Sequence, residues 1–417
     1  MFREILRQAF IALRRNHLRT FLTMLGIVWG IASATLLMAY GGGFRRVLVD
    51  GFDAFGKSVV ICRGGQTSEQ AGGERAGRRI RFELSDVETL RQEATLIKQI
   101  SPEALNRLPV SYGDKMLNMC VRGVYPEYGE IRNEQPSAGR WLGPDDVREA
   151  RRVAFIGNYA RNQIFGNRQS IGETVRINGA HFTIIGTMDT KFQLSSYFSP
   201  DDRCLFIPYT AAAQLWNTRY PPVIVFSSVA PALERRAIQQ FRSILAKKYR
   251  FSPTDQRAVN LFGREEVKPI IDAITIGLQA LLLFIGCLTL AIGGIGLMNI
   301  MLVSVNERVR EIGLRRALGA RRWHIRFQFL AEALVITLIG GVAGILLSYL
   351  ITWMTGPLPM LGAIFEDESG KGDLHMRISP MAVLASSGAL LLVGLCSGLI
   401  PAVRAANLDP AEALRYE

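Results

Sequence analysis

The sequence has few of the residues that build metal sites and disulfide frameworks. Its 417 residues include five cysteines and four histidines, and no cysteines stand in a C-x-x-C pair. A disulfide-dense scaffold, a zinc ribbon and an H-E-x-x-H metal site are therefore excluded. There is also no G-x-S-x-G nucleophile motif and no paired-acid pattern. We therefore expect a non-catalytic chain with no metal site and no cofactor bound to it.

Charge is scarce as well. Charged residues make up 20% of the chain and hydrophobic residues 49%, with a mean hydropathy of +0.17. Residues 20–44, 273–306, 333–365 and 378–403 contain no Asp, Glu, Lys or Arg. Since about 20 apolar residues cross a bilayer core of about 30 Å, these runs predict four transmembrane helices. We place them at residues 21–40, at 270–306 including a stalk, at 328–355 and at 378–403.

The first apolar run could alternatively belong to a cleaved signal peptide, because arginines precede it. The run is too long for that reading and no clear A-x-A site follows, so we predict an uncleaved anchor. Residues 1–20 before it alternate apolar positions such as Phe2 and Phe10 with Arg3 and Arg7 at helical spacing. This pattern indicates an amphipathic helix in the membrane interface.

The short flanks predict the orientation. Residues 1–20 carry five arginines and one acid, and residues 307–327 carry seven arginines and two acids. Residues 366–377 carry four acids and two bases. The positive-inside rule then places both termini, the 307–327 loop and the 404–417 tail in the cytoplasm, with a short loop at 356–377 outside.

The block at residues 41–269 is then extracytoplasmic and is predicted to be a large α+β domain, of one or two subdomains, inserted between helices 1 and 2. Ser85 and Glu88 have capping-box spacing and predict a helix start. Asn178-Gly179 predicts a type I′ hairpin turn. Further strands are expected at 58–62, 110–123, 153–156, 204–207 and 223–229, and a helix from Pro231 to Tyr249.

The block holds 33 basic and 24 acidic residues, which mildly favours an acidic or amphiphilic ligand. Nucleic acid is not expected as a partner.

Residues 51–58 match the P-loop pattern G-x-x-x-x-G-K-[ST]. A P-loop requires a helix to begin at the Lys-Ser pair, whereas residues 58–62 are rich in β-branched side chains and favour a strand. The segment is also predicted to lie outside the membrane, away from cytosolic ATP. We therefore predict no nucleotide site here.

Pairs of glycines four residues apart occur in three of the predicted membrane helices. Such pairs let helix backbones approach closely, which favours tight packing or dimerisation. The alternative is that glycine is simply common in membrane helices. The glycines are Gly26, Gly30, Gly340, Gly344, Gly394 and Gly398.

The 307–327 loop is predicted to contain a short charged helix. Glu307 and Glu311, and Glu311 and Arg315, stand one turn apart, and Gly319 can end the helix. Its position between two long membrane helices suits a lever that a cytoplasmic partner grips. The alternative is a solvated positive-inside loop.

These residues resemble the MacB/LolC (FtsX-like) family of ABC transporter permeases over nearly the whole chain. Residues 307–320 are similar to the family's cytoplasmic segment E-R-x-x-E-I-G-x-x-[RK]-A-x-G-A, and residues 401–417 resemble its C-terminal ending. Residues 139–140, 153–157, 165–166, 171–172 and 184–186 resemble its periplasmic core domain.

The resemblance implies a permease in the bacterial inner membrane that transmits ATP-driven motion for export or release of a lipoprotein, peptide, antibiotic or other amphiphile. ATP and Mg are expected on a separate cytoplasmic ATPase, since residue 1 stands almost at the membrane and the chain resembles a stand-alone permease without a fused ATPase. A second permease copy or a paralogue would complete a dimer, with a periplasmic adaptor protein and an outer-membrane channel as further partners. The implied coupling residues are Glu307, Arg308, Arg310, Glu311, Gly313, Arg315 and Gly319.

One other class of function stays open. A membrane-anchored sensor would bind a ligand outside and signal through the 307–327 loop, although the sequence contains no cytoplasmic signalling domain to receive the signal. A membrane-bound enzyme is disfavoured by the missing catalytic motifs.

Overall fold

The computed structural model describes residues 17–54, 56, 58–193, 196–360 and 370–415. The chain divides into two compact units. We call residues 1–46, 273–359 and 373–417 the helical unit, and residues 47–272 and 360–372 the sheet unit. The amphipathic helix expected at the N-terminus lies almost entirely outside the described residues.

The helices are named in chain order. They are α1 His17–Asp53, α2 Leu84–Glu93, α3 Glu127–Ile131, α4 Pro144–Arg148, α5 Asn158–Phe165, α6 Tyr209–Ala212, α7 Glu234–Tyr249, α8 Arg264–Glu307, α9 Val309–Ala317, α10 Arg322–Thr355, α11 Pro380–Ala406 and α12 Pro410–Arg415. The strands are β1 Val59–Gly64, β2 Ile97–Tyr112, β3 Lys115–Val124, β4 Pro136–Gly139, β5 Val153–Ile156, β6 Thr174–Ile177, β7 Ala180–Met188, β8 Cys204–Pro208, β9 Val223–Ser228 and β10 Val259–Gly263.

Among the described residues, four helices are long and apolar enough to cross a membrane, and each overlaps one of the four predicted transmembrane segments. The candidate spans are Met24–Phe52, Glu266–Glu307, Arg322–Thr355 and Pro380–Ala406. Helix α8 has 44 residues, so it is about 66 Å long, roughly twice the thickness of a hydrocarbon core. Helix α1 continues to Asp53, beyond the predicted end of its crossing at residue 40. Backbone outside the hydrocarbon can stay helical without apolar side chains, which explains why both helices exceed one crossing.

The helical unit has a continuous apolar core. Ile31 of α1, Leu290 of α8, Phe329 of α10 and Leu390 of α11 are buried in one cluster. A buried polar contact joins α1 to α11, where Thr35 Oγ1 donates to Ser386 Oγ over 3.1 Å. Such a contact satisfies both hydroxyl groups within the helix bundle.

The sheet unit is built on one mixed ten-stranded sheet in the order β10-β1-β9-β2-β3-β8-β5-β7-β4, with β6 paired to β2 and β7. Strand pairs β3/β8 and β5/β7 are parallel and the others are antiparallel. Helices α2 and α7 cover one end of the sheet, where Leu90 and Phe241 are buried against Phe226. Helices α5 and α6 pack in a second core with Phe182 and Ile207. The predicted α+β class is thus confirmed.

Local signals in the sheet unit predicted several elements correctly. Strands β1, β5, β8 and β9 lie where they were expected, and the hairpin of β6 and β7 turns at Asn178 (φ 47°) and Gly179 (φ 86°). Positive φ at both central residues is the mark of a type I′ turn.

Two local predictions were wrong. Residues 110–123 are not one strand, because the chain turns at Gly113 (φ 57°) and Asp114, and β2 and β3 pair on either side. Helix α2 is capped by Glu83 rather than Ser85, since the Glu83 N–H donates to Asp86 Oδ2 over 2.8 Å. Asp86 therefore occupies the acidic position that had been assigned to Glu88.

A buried charge cluster joins distant parts of the sheet unit. Arg122 of β3 is fully buried and donates to Glu103 Oε1 of β2 (2.9 Å) and to the Tyr128 hydroxyl of α3 (2.8 Å). Asp201 accepts from Arg132 over 2.7 Å and from Lys191 over 3.0 Å. Burial alone would raise the pKa of Asp201, but Arg132, Lys191 and Arg122 hold it far below its usual range.

Glu134 belongs to the same cluster and behaves in the opposite way. Burial raises its pKa to about 8, with Lys191 opposing the change and Asp201 reinforcing it. Glu134 lies 3.1 Å from Lys191, so the cluster sets three carboxyl groups, those of Glu103, Glu134 and Asp201, beside three cations.

Candidate functional site

The candidate site is α9, the nine-residue helix that connects α8 to α10. It ends in a Schellman motif, in which the Gly319 N–H donates to the Arg316 carbonyl (3.1 Å) and the Ala320 N–H to the Arg315 carbonyl (3.0 Å). Gly319 has φ +94°, the left-handed conformation that this motif needs and that glycine adopts without strain. The sequence therefore sets where α9 stops and where the chain turns towards α10.

One face of α9 is packed against the C-terminal part of the chain. Val309, Ile312 and Gly313 are buried. A Cβ atom at Gly313 would stand 2.6 Å from Ala413 Cβ of α12, so only a glycine permits this approach without displacement. The end of α11 is held as well, because Arg316 Nη1 donates to the Ala406 carbonyl over 2.6 Å.

Charged side chains fix α9 to α10. Arg308 pairs with the buried Glu332 over 3.4 Å. Arg315 binds Glu311 within α9 (2.6 Å) and the Gln328 amide oxygen of α10 (2.7 Å). These contacts tie α9 to α10, α11 and α12.

The opposite side of α9 presents apolar residues to the surface. The exposed fractions are 53% for Leu314 and 81% for Leu318. Leu318 is the residue that follows α9, one turn after Leu314, and arginines flank both leucines. An exposed apolar patch with a charged rim is typical of a protein interaction surface.

The seven predicted coupling residues fall into three groups. Arg308 and Arg315 tie α9 to α10, and Arg315 also pairs with Glu311 inside α9. Gly313 allows the close approach of α12, and Gly319 ends the helix. Glu307 is the last residue of α8, and Arg310 is exposed.

Sequence reasoning missed other residues of this site. Leu314, Leu318 and Arg316 lie within the motif, but only the leucine spacing of four could have drawn attention to them. Glu332 and Ala413 are far away in the sequence and gave no local signal.

The paired glycines of the membrane helices all have a helix neighbour within the chain. Added Cβ atoms would lie 2.7 Å from Ile27 Cγ2 at Gly340, 2.6 Å from Ala333 Cβ at Gly398 and 3.3 Å from the Thr289 carbonyl at Gly30. The other three also approach neighbouring helices: Gly344 approaches Val28 and Ile31, Gly394 approaches Thr337, and Gly26 approaches Gly293.

The P-loop-like segment has the wrong order of elements. Gly51 and Phe52 belong to the end of α1, and β1 begins at Val59. A P-loop runs from strand to helix, whereas this segment runs from helix to strand.

Comparisons with known proteins agree with this architecture. A family model described as the MacB-like periplasmic core domain matches residues 20–243, and one described as the FtsX-like permease C-terminal matches residues 283–410. The macrolide export ATP-binding/permease protein MacB of Bdellovibrio bacteriovorus is 33% identical over 99% of this chain and 62% of its own length. The protein of the same name from Chlorobaculum tepidum is 33% identical over 98% of this chain and 61% of its own length.

The chain thus spans about three-fifths of the length of these relatives. Among solved structures, the periplasmic region of MacB from Actinobacillus actinomycetemcomitans is similar with a TM-score of 0.42 and 19% identity, covering 54% of this chain and 98% of that one.

Proposed function

The chain belongs to the MacB-like, FtsX-like family of ABC transporter permeases, and from this premise we propose that α9 is its coupling helix. A cytoplasmic ATPase grips α9 and transmits the motion of its ATP cycle through the helical unit to the sheet unit. ATP and Mg bind to the ATPase, while this chain supplies the docking surface and the helices that transmit the motion. The chain works as a dimer with a second permease copy or a paralogue.

This proposal rests on two features of α9. The helix is attached to its neighbours by hydrogen bonds and ion pairs, and it presents an exposed apolar patch. Arg308, Arg315 and Arg316 bind α9 to its neighbours. Leu314 and Leu318 remain exposed. A docking element needs both properties, since an exposed patch on a loose loop would bind a partner without passing on its motion.

We further propose that both termini and α9 lie in the cytoplasm and the sheet unit in the periplasm. The arginine-rich flanks of α1 and α9 support this orientation. The relatives are named for macrolide export, and the sheet unit of this chain is proposed to act on an amphiphilic substrate for export or release. A periplasmic adaptor and an outer-membrane channel would complete such a path.

The test is purification of the tagged chain from its native membrane in mild detergent, followed by mass spectrometry and measurement of ATP hydrolysis. We expect an ATPase to be recovered with the wild-type chain and lost with Leu318→Asp, because a carboxylate would be buried in the docking surface. Met116→Asp is the matched control, since Met116 is also exposed but belongs to the sheet unit.

A second variant separates docking from transmission. Arg315→Ala should keep the ATPase bound but lower the hydrolysis that the permease stimulates, because α9 loses its bond to Gln328. Recovery of equal amounts of ATPase with wild type and Leu318→Asp would contradict the assignment of α9. Recovery of the chain without any ATPase, even after crosslinking, would favour the sensor function instead.

A further inference from the structure

We propose that the start of α10 binds the headgroups of anionic phospholipids. The binding surface consists of Arg321, Arg322, Trp323, Arg326 and Phe327, and we call it the arginine–tryptophan edge. This edge differs from the leucine patch of α9 in the ligand proposed for it: the edge binds lipid, and the patch binds a protein.

The length of α10 places this edge at headgroup level. Helix α10 has 34 residues and rises about 51 Å, slightly more than the roughly 40–45 Å of a bilayer with its headgroups. When its last turn reaches one headgroup layer, its first turns, at residues 322–327, therefore lie in the opposite one.

Two aromatic side chains mark the membrane-facing side of the edge. Trp323 and Phe327 are 66% and 47% exposed, and their ring centroids are 5.9 Å apart. They stand one turn apart on the same face of α10, whereas Ile325 and Phe329 are buried in the core of the helical unit. Exposed tryptophan at the end of a membrane helix is typical of the lipid interface, where its ring is partly apolar and partly polar.

The arginines of the edge lack protein partners. The side chains of Arg321, Arg322 and Arg326 are exposed and make no hydrogen bond or ion pair within the described part of the chain. By contrast, Arg308, Arg315 and Arg316 of the neighbouring α9 region are all engaged. There is no acidic residue between Glu311 and Glu332.

Three unpaired positive charges beside exposed aromatic rings are complementary to a negatively charged headgroup. The guanidinium groups can bind a phosphate through two parallel hydrogen bonds while the rings lie among the upper acyl carbons. A zwitterionic headgroup also offers a phosphate, but its cation cancels the net attraction. The edge therefore prefers phosphatidylglycerol to phosphatidylcholine.

The first test measures lipid retention by the full-length chain in detergent, using native mass spectrometry with phosphatidylglycerol and phosphatidylcholine as probes. We expect the triple variant Arg321→Gln, Arg322→Gln, Arg326→Gln to bind phosphatidylglycerol more weakly, by about fivefold for each arginine removed. The matched control changes the exposed Arg168, Arg235 and Arg236 of the sheet unit to Gln, which alters the total charge equally.

A second test asks where Trp323 lies. The full-length chain is placed in nanodiscs containing brominated phosphatidylglycerol, and the fluorescence quenched in wild type is compared with that in Trp323→Phe. We expect the difference, which reports on Trp323 alone, to show strong quenching. Neither readout needs the ATPase, so the result is independent of the coupling assignment.

Three outcomes would overturn the proposal. Equal retention of the two lipids by wild type would show that the headgroup charge is not recognised. Unchanged retention in the triple variant, or a loss as large in the control variant, would remove the role of these arginines. An unquenched Trp323 would mean that the edge faces water or a protein partner.

Discussion

Replacing Arg122 by methionine should destabilise the sheet unit strongly. Methionine keeps most of the volume of the side chain but removes the guanidinium that binds Glu103 and lies 3.1 Å from Asp201. Both carboxylates are fully buried. Breaking a buried ion pair by removing one partner costs about 3–5 kcal/mol. For a unit of this size that loss corresponds to a fall in Tm of roughly 6–20 °C.

Thermal unfolding of the full-length chain in detergent, followed by tryptophan fluorescence, measures this effect. Trp141 reports on the sheet unit because it stacks on Tyr128, a hydrogen-bond partner of Arg122. The control is Arg91→Met, which removes exposed ion pairs with Glu88 and Glu127. Since such surface pairs contribute only about 0–1 kcal/mol each, the control should shift Tm less than Arg122→Met does.

A double variant tests the cause of the loss. Replacing Glu103 by methionine together with Arg122 removes one of the stranded carboxylates, so it should recover part of the stability. The reasoning would be refuted if Arg122→Met shifted Tm no more than Arg91→Met does.

Three further predictions concern a titrating group and two glycines. Because the pKa of Glu134 is raised, the native state holds an extra proton between pH 4.5 and about 8, and its stability falls as pH rises through that range. The decrease in Tm from pH 6 to pH 9 should therefore be smaller in Glu134→Gln than in wild type. An equal decrease in both would contradict this. Gly344→Ala should cost about 1–3 kcal/mol by overpacking, whereas Gly388→Ala should not destabilise, since its surroundings are open; equal Tm values for the two variants would argue against tight packing. Gly179→Val places a β-branched residue at φ 86° and should cost about 1–3 kcal/mol; a wild-type Tm would contradict this.

The parts of the structure that rest on local sequence could be predicted. An uncharged run of 20 or more residues has few alternatives to a membrane helix, and Asn178-Gly179 between β-branched segments has few alternatives to a hairpin. The boundary errors have local causes too. The turn at Gly113 lacks an Asn-Gly pair, and Glu83 competes with Ser85 as a cap.

The rest depends on contacts between residues that are far apart in the sequence. The charge cluster joins Glu103, Arg122 and Asp201, which no motif connects. The packing of α9 also depends on distant residues. Position 313 requires glycine only because Ala413 of α12 packs against it. Such long-range contacts leave no periodic pattern in one sequence.

The first and last strands of the sheet unit are neighbours, and this has a consequence for its evolution. Strand β1 follows α1 directly, β10 leads directly into α8, and the two strands pair in antiparallel register from Val60 with Gly263 to Gly64 with Val259. The roughly 200 residues between them thus leave and return at points about 5 Å apart. A segment with such close ends can be exchanged, enlarged or replaced by a short turn without stretching the chain at either junction. The fold therefore allows the segment between β1 and β10 to change in size without rearranging the helices α1 and α8 that flank it.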